Sequence, residues 1–269
     1  MQTDAAPETL LIIEDSPLQA KIIRKHIQMY TPFAVLAAHT RAEAEAILAQ
    51  HTAELFVAVI DLNLPDAPDG EAADLCLSWR VPSIVLTASF NAQIRARFIE
   101  RSVVDYFFKG SIQDMNPMLM SIQRVFKNQS MTALIVDDSR SQRGVLRHLL
   151  EVQRLNVVEA GDGEEALQVM AGNGNISLVL TDYQMPRMNG LELVRELRNT
   201  YAPNELAVIG VSGVSSGPLT AQFLKHGAND FLTKPFEVEE FYWRVNQTLE
   251  NQDMMRTLRG LAVKVGAGD

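Results

Sequence analysis

The stretch "LVLTDYQMPRMNG", Leu178–Gly190, opens as an apolar β-strand and stops at the lone carboxylate of Asp182. A Met-Pro turn and a glycine follow. The same pattern occurs earlier as "VAVIDLNLPDAPDG", Val57–Gly70, with Asp61 in the matching place. One Asp at a strand end is ordinary turn chemistry. Two in similar frames require a shared cause.

Laid on itself at a shift of roughly 120–125 residues, the sequence matches again and again. "LLIIEDS" (Leu10–Ser16) meets "ALIVDDS" (Ala133–Ser139). "VAVID" meets "LVLTD". "SIVLTAS" (Ser83–Ser89) meets "AVIGVSG" (Ala207–Gly213), and "DYFFKGS" (Asp105–Ser111) meets "DFLTKPF" (Asp230–Phe236). Solenoid repeats have periods of ~20–50 residues, so a shift this long means duplicated domains. The chain of 269 residues is long enough for two.

Within each copy, short apolar runs alternate with amphipathic ones. The first copy places strands near residues 9–14, 33–38, 56–61, 82–87 and 104–108. The second places them near 132–137, 155–159, 177–182, 207–212 and 230–233. Strands alternating with helices read as βα units of a parallel sheet, apolar throughout because helices cover both faces. The expected organisation is a first domain over residues 8–128, a second over 131–250, and a C-terminal helical extension or linker over 251–269. The connection "FKNQSMT" (Phe126–Thr132) is polar but not rich in Gly or Pro, so a helix is expected to run far into it.

Composition narrows the function. A net charge of −9 argues against direct binding of nucleic acid, which calls for a basic stripe. Cys76 is the only cysteine, which excludes an intrachain disulfide and a multi-cysteine zinc site. No apolar run approaches the ~20 residues that span a bilayer. The N-terminus lacks a signal-peptide pattern. These features fit a cytoplasmic protein without membrane contact. Walker loops are absent, and the histidines have no metal-ligand spacing.

In a doubly wound sheet, ligands sit at the carboxyl ends of the strands. The residues gathered there are Glu14, Asp15, Asp61, Thr87 and Lys109 in the first copy, and Asp137, Asp138, Asp182, Ser212 and Lys234 in the second. Each set holds three acids, a hydroxyl and a lysine. At ~5 Å and an effective dielectric of ~20, each like-charged pair costs on the order of 3 kcal/mol. Either one acid keeps its proton or a divalent cation binds. All-oxygen ligands favour Mg²⁺, with Mn²⁺ as a substitute. The lysine suits a further anion, so the set reads as Mg²⁺ plus a phosphoryl group, with one Asp as nucleophile.

On these motifs both copies resemble bacterial response-regulator receiver domains, and together they cover nearly the whole chain. The resemblance implies an α/β fold of two doubly wound, five-stranded, parallel (βα)5 flavodoxin-like domains in tandem. It implies that Asp182 accepts a phosphoryl group from a sensor histidine kinase or a histidine phosphotransfer protein, and that Asp61 does the same. Asp138 would bind the metal directly, Asp137 mainly through water, and Gln184 through its backbone carbonyl. Lys234 and Ser212 would take phosphoryl oxygens, and Phe231 would change rotamer as the switch residue. The first copy's counterparts are Asp15, Glu14, Asn63, Lys109, Thr87 and Tyr106. The small residues Ala88 and Gly213 would leave room for the phosphoryl group. Association as a homodimer is expected through the face of helix 4, strand 5 and helix 5.

The first copy departs from the receiver pattern twice. "DLNLPDAPDG" carries one extra residue before Gly70, and Lys109 is followed by Gly110 where the second copy has Pro235, the place at which receivers commonly hold a cis peptide. Simpler readings exist for single residues. Asp15 and Asp138, each before a serine, could be helix caps, and Tyr106 and Phe231 could be packing residues.

Beyond the second copy, Met254, Leu258 and Leu261 have a seam-like helical spacing that Gly260 weakens. Two receivers followed by a helix resemble the front of receiver-linked diguanylate cyclases, with no output catalytic domain in these residues. Three functions are therefore weighed. One is a phosphorylation-controlled module of two receivers. Another is the regulatory fragment of a cyclase. The last is an interaction scaffold with one receiver that is not phosphorylated.

Overall fold

The computed structural model describes residues 8–87, 96, 102–109, 115–213 and 217–266, with residues 260–266 as backbone only. The chain forms two compact units that divide between Lys127 and Asn128.

In the first unit the apolar runs become β1 (Thr9–Ile13), β2 (Ala34–Ala38), β3 (Leu55–Asp61), β4 (Ser83–Thr87) and β5 (Asp105–Phe108). They pair in parallel in the order β2-β1-β3-β4-β5. The described helices are α1 (Pro17–Tyr30), α2 (Arg41–His51), α3 (Glu71–Ser78) and α4 (Met115–Asn128), the last running into the expected connection.

The second unit repeats the plan with β6 (Thr132–Val136), β7 (Asn156–Ala160), β8 (Ile176–Thr181), β9 (Ala207–Ser212) and β10 (Asp230–Thr233). Its parallel order is β10-β9-β8-β6-β7. The helices are α5 (Arg140–Val152), α6 (Gly163–Gly172), α7 (Gly190–Thr200), α8 (Gly217–Lys225) and α9 (Val238–Gly266). Both units are the doubly wound α/β fold that the alternation predicts, and every strand falls within a residue or so of its expected place.

Alternation across the pleat explains why the strands are apolar on both sides. Leu134, Val136, Val179 and Val208 join one buried cluster, while Ala133, Ile135, Leu178, Leu180 and Ile209 join another. Residues i and i+2 share a face, so each run feeds two cores at once. A fully buried Leu or Ile side chain contributes about 1.5–3 kcal/mol. Among the described residues, no helix is long and apolar enough to cross a membrane.

The units differ where their last strands begin. Asp230 is held by Arg244, whose Nη1 lies 3.0 Å from the Asp230 carboxylate. Among the described residues Asp105, its counterpart, has the backbone N–H of Tyr106 at 2.9 Å and the Ser121 hydroxyl instead of a cation. Burial pushes its carboxyl up to about 6, against the lowering effect of those hydrogen bonds. The folded form therefore holds this proton more tightly than the unfolded chain does. Its stabilising effect is complete below the unfolded value of 3.8 and is lost as pH rises through about 6. At neutral pH, Asp105→Asn is expected to raise the stability of the first unit by on the order of 3 kcal/mol. Urea unfolding at pH 4.5 and 7.5 checks this: the gap between variant and parent should widen from about 1 kcal/mol at the lower pH to about 3 kcal/mol at the higher.

Candidate functional site

Five strand ends converge in each unit, and backbone bonds set them in register. The N–H of Asp182 donates to Val136 O at 2.8 Å, Asp137 N to Ala160 O at 3.2 Å, and Lys234 N to Ser212 O at 2.8 Å. In the first unit Glu14 N donates to Ala38 O at 3.0 Å, and Lys109 N to Thr87 O at 2.8 Å.

The serines after the acidic pairs cap the helices. Ser16 accepts from Gln19 N, and Ser139 from Gln142 N. Asp15 and Asp138 are thereby released from capping and stand exposed at the site, while Glu14 and Asp137 are buried behind them. Glu14 receives the N–H of Ser16 at 3.3 Å, and Asp137 that of Ser139 at 2.9 Å.

Each central aspartate is held at both oxygens. Asp182 accepts from Gln184 N at 2.7 Å and from Lys234 Nζ at 3.0 Å. Asp61 accepts from Asn63 N at 3.2 Å and lies 2.8 Å from Lys109 Nζ. The lysines also bind the buried acids, Lys234 to Asp137 at 2.8 Å and Lys109 to Glu14 at 2.6 Å. One ammonium thus offsets part of the repulsion between two carboxylates in each site. Burial pushes the Glu14 carboxyl upward in spite of Lys109.

Glu14, Asp15 and Asp61 offer oxygens that all lie within 4.8 Å of one another. This all-oxygen, acidic donor set suits a hard divalent cation. In the second unit, Asp138, Gln142, Asp182, Gln184, Ser212, Gly213, Lys234 and Pro235 line one cavity of about 820 Å³. A Cβ on Gly213 would meet nothing within 4 Å. The Lys234-Pro235 peptide is cis. Ala88 and Gly110, which bear on the same questions in the first unit, lie outside the described residues.

Thr87 and Ser212 are buried at their strand ends. Phe231 is also buried, its ring 5.2 Å from that of Phe223. Tyr106 is half-buried against the first core.

With this geometry in place, the known proteins can be set beside it. The response regulator receiver domain family matches residues 133–246. A crystal structure described as a two-component system response regulator/GGDEF domain protein is 38% identical. It superposes with a TM-score of 0.82 over 91% of this chain and 99% of its own. The two-component response regulator ORR5 of Oryza sativa subsp. japonica is 33% identical over 104 residues, 39% of this chain and 78% of that protein. The chain belongs to the response-regulator receiver family. It carries two receivers in tandem, regulatory domains of phosphorylation-dependent two-component signalling, and its Glu14, Asp15 and Asp61 cluster is an acidic pocket of the kind at which receiver domains bind Mg²⁺. It is also 33% identical over 134 residues to the cyclic di-GMP phosphodiesterase response regulator RpfG of Xanthomonas campestris pv. campestris. The match covers 49% of this chain but 35% of that protein, so the chain spans about a third of RpfG's length.

Some contacts around the receiver sites had no sequence signal. In the second receiver, Arg187 pairs with the buried carboxylate of Asp162, the N-cap of α6. In the first, the Asp66 carboxylate accepts from the N–H groups of Arg41 at 3.0 Å and Ala42 at 3.2 Å, at the start of α2. Opposite chemistries thus tie the loop after each central aspartate to the start of the receiver helix that precedes its strand. Asp66 lies in the loop that carries the extra residue. Gln142, which bonds Lys234, was also unforeseen.

Proposed function

We propose that Asp182 and Asp61 are phosphoacceptors, each taking a phosphoryl group from the phosphohistidine of a sensor kinase or a histidine phosphotransfer protein. A carboxylate oxygen bonds to phosphorus, the P–N bond breaks, and its electron pair stays on the imidazole. The observation that carries this is the doubled constellation itself: a central Asp held at both oxygens, a lysine bridging it to a buried acid, and a buried hydroxyl at the next strand end.

The residues that would hold Mg²⁺ are Asp15, Asp61 and the Asn63 carbonyl, with Glu14 behind them, and Asp138, Asp182 and the Gln184 carbonyl, with Asp137 behind them. When bound, the cation neutralises the acids and the charge on the incoming phosphoryl oxygens. Lys109 and Lys234 trade a carboxylate partner for a phosphoryl oxygen. Thr87 and Ser212 donate to another, drawing their loops inward, and Tyr106 and Phe231 follow as switch residues. The chain catalyses its own phosphorylation and dephosphorylation.

The test is acetyl phosphate with Mg²⁺, followed by intact mass. The expected result is two added phosphoryl groups on the wild type, one of them lost with Asp61→Ala and the other with Asp182→Ala. One group, lost only with Asp182→Ala, would make the first receiver a scaffold.

Phosphorylation is further proposed to promote a homodimer through the face formed by a receiver's fourth helix, fifth strand and fifth helix, which in the second receiver are α8, β10 and α9 and in the first include β5 and α4. Exposed Phe108 and Met120 on β5 and α4, and Trp243 on α9, support an apolar contact there. Light scattering with a phosphoryl analogue is expected to show a doubled mass, and an unchanged mass refutes the dimer.

A second reading makes this chain the regulatory front of a receiver-linked diguanylate cyclase. The receiver/GGDEF relative favours it, as do the exposed Met254 and Leu258 on a helix that runs to Gly266. A stop codon directly after Asp269 in the parent gene removes that reading.

A further inference from the structure

We propose that Gln142 is a positioning residue for the phosphoryl group of the second receiver, with its side-chain amide presenting an N–H to the anion at Asp182. The inference rests on the reading of Asp182 as the phosphoacceptor.

Lys234 directs its ammonium at Asp137, Asp182 and the Oε1 of Gln142. An ammonium has three N–H donors and accepts nothing. The Gln142 atom against it is therefore the carbonyl oxygen, and the NH₂ end of the amide remains available as a donor. Gln142 projects from the first turn of α5 and lines the cavity shared by Asp182, Ser212 and Lys234. Those side chains come from the β8, β9 and β10 ends, so Gln142 adds a donor from the helix side. Ammonium, hydroxyl and amide together surround the position a phosphoryl group takes on Asp182. Gln142 is exposed and no core contact fixes it, so its bond to Lys234 is what orients it before the anion arrives.

The first receiver has the same residue without the same bond. Gln19 stands in "EDSPLQ" where Gln142 stands in "DDSRSQ". Yet Lys109 bonds Glu14 at 2.6 Å and Asp61 at 2.8 Å, and among the described residues Gln19 donates only its backbone N–H, to Ser16. The buried acid is one methylene longer in that site, Glu14 in place of Asp137. The two receivers are thus inferred to hold the phosphoryl group with different donor sets.

The experiment is fluorine NMR titration of the full chain with beryllofluoride, a phosphoryl analogue, at saturating Mg²⁺. An Asp61→Ala background isolates the second site. Gln142→Met keeps the length and removes the amide. Gln142→Glu keeps an oxygen on Lys234 and removes the N–H. Both are expected to weaken beryllofluoride binding about tenfold, the scale of one hydrogen bond to a charged group. Mg²⁺ binding without beryllofluoride should stay within about twofold for Gln142→Met, because the proposed N–H acts on the anion alone. Gln19→Met, read at Asp61 in an Asp182→Ala background, should leave beryllofluoride binding unchanged. Unchanged or tighter binding with Gln142→Met overturns the proposal and leaves Gln142 as a resting partner of Lys234. Equal losses with Gln19→Met and Gln142→Met overturn the difference between the sites. If the Asp61→Ala protein gives no beryllofluoride signal that Asp182→Asn abolishes, the phosphoacceptor reading itself fails and takes this one with it.

Discussion

Replacing Lys234 with methionine is expected to slow acetyl phosphate labelling of Asp182 by about 10²–10³-fold, the cost of removing one preorganised charge-stabilising donor. The same variant is expected to bind Mg²⁺ more tightly than the wild type. The two effects have one cause. In the resting site the Lys234 ammonium lies 2.8 Å from Asp137 and 3.0 Å from Asp182, and serves as their counterion. A divalent cation at the same acids has to share them with that ammonium. At ~3 Å and an effective dielectric of ~20, an ion pair is worth on the order of 5 kcal/mol before solvent screening. Removing the competitor favours Mg²⁺. The phosphoryl group, in contrast, loses the cation that meets its developing charge, and that loss dominates the rate. Calorimetric Mg²⁺ titration and a time course of intact mass read the two effects separately. Slower labelling with unchanged Mg²⁺ affinity would show that the lysine serves the phosphoryl group alone. Lys109→Met should behave alike at Asp61, with one addition. Burial already pushes the Glu14 carboxyl upward, and without Lys109 it would go higher still. Part of the missing positive charge would then be supplied by a proton on Glu14.

The strand ends were legible because a parallel sheet leaves little choice. Both of its faces are covered, so its strands must be apolar from end to end, and a polar residue marks the point where the chain leaves the core. Asp61, Asp182, Thr87 and Ser212 end such runs, and their duplication turned weak single signals into a pattern. The acidic pairs were harder to divide. Sequence alone left Asp15 and Asp138 as candidate caps, and only the bonds from Gln19 N to Ser16 and from Gln142 N to Ser139 show that the serines do that work. The loop contacts were out of reach for another reason. Arg187 to Asp162, and Asp66 to the amides of Arg41 and Ala42, join segments roughly 25 residues apart through charges that look like solvated surface groups. Nothing in either segment specifies the partner. The extra residue in "DLNLPDAPDG" was visible as a departure, but its setting was not. Leu64 and Ala67 pair across the turn, and Asp66 between them reaches the start of α2. Gln142 was hidden in a different way, since Gln19 occupies the matching place in the first receiver without bonding its lysine.

The largest stability loss from a single methyl group is expected at Gly190→Ala. A Cβ there would lie 2.0 Å from the carbonyl oxygen of Asp182 and 3.0 Å from its carbonyl carbon and from Thr181 Oγ1. Backbone atoms cannot rotate away as a side-chain tip can, so either the first turn of α7 or the main chain of Asp182 itself must move. The cost is expected to be about 3 kcal/mol or more, in the range kept for overpacked or strained positions. For a receiver-sized domain that lowers the melting temperature by roughly 10 °C or more. The glycine is required here by close approach. Gly70, which opens the matching helix of the first receiver, is required differently, by a left-handed backbone at φ 83°. The helix start supplies an internal control. Asn189 caps α7, accepting from Leu191 N at 3.0 Å and Glu192 N at 3.1 Å, while the Glu192 carboxylate takes the N–H of Asn189 at 2.9 Å. Asn189→Ala removes this box without touching Asp182 and should cost about 1 kcal/mol. Scanning calorimetry of both variants decides between the two explanations of the loop. A loss at Gly190 well beyond the loss at Asn189, joined to slower labelling of Asp182, means that the missing side chain is what lets the loop close over Asp182. Equal losses mean that the loop yields, and that the glycine matters only for starting the helix.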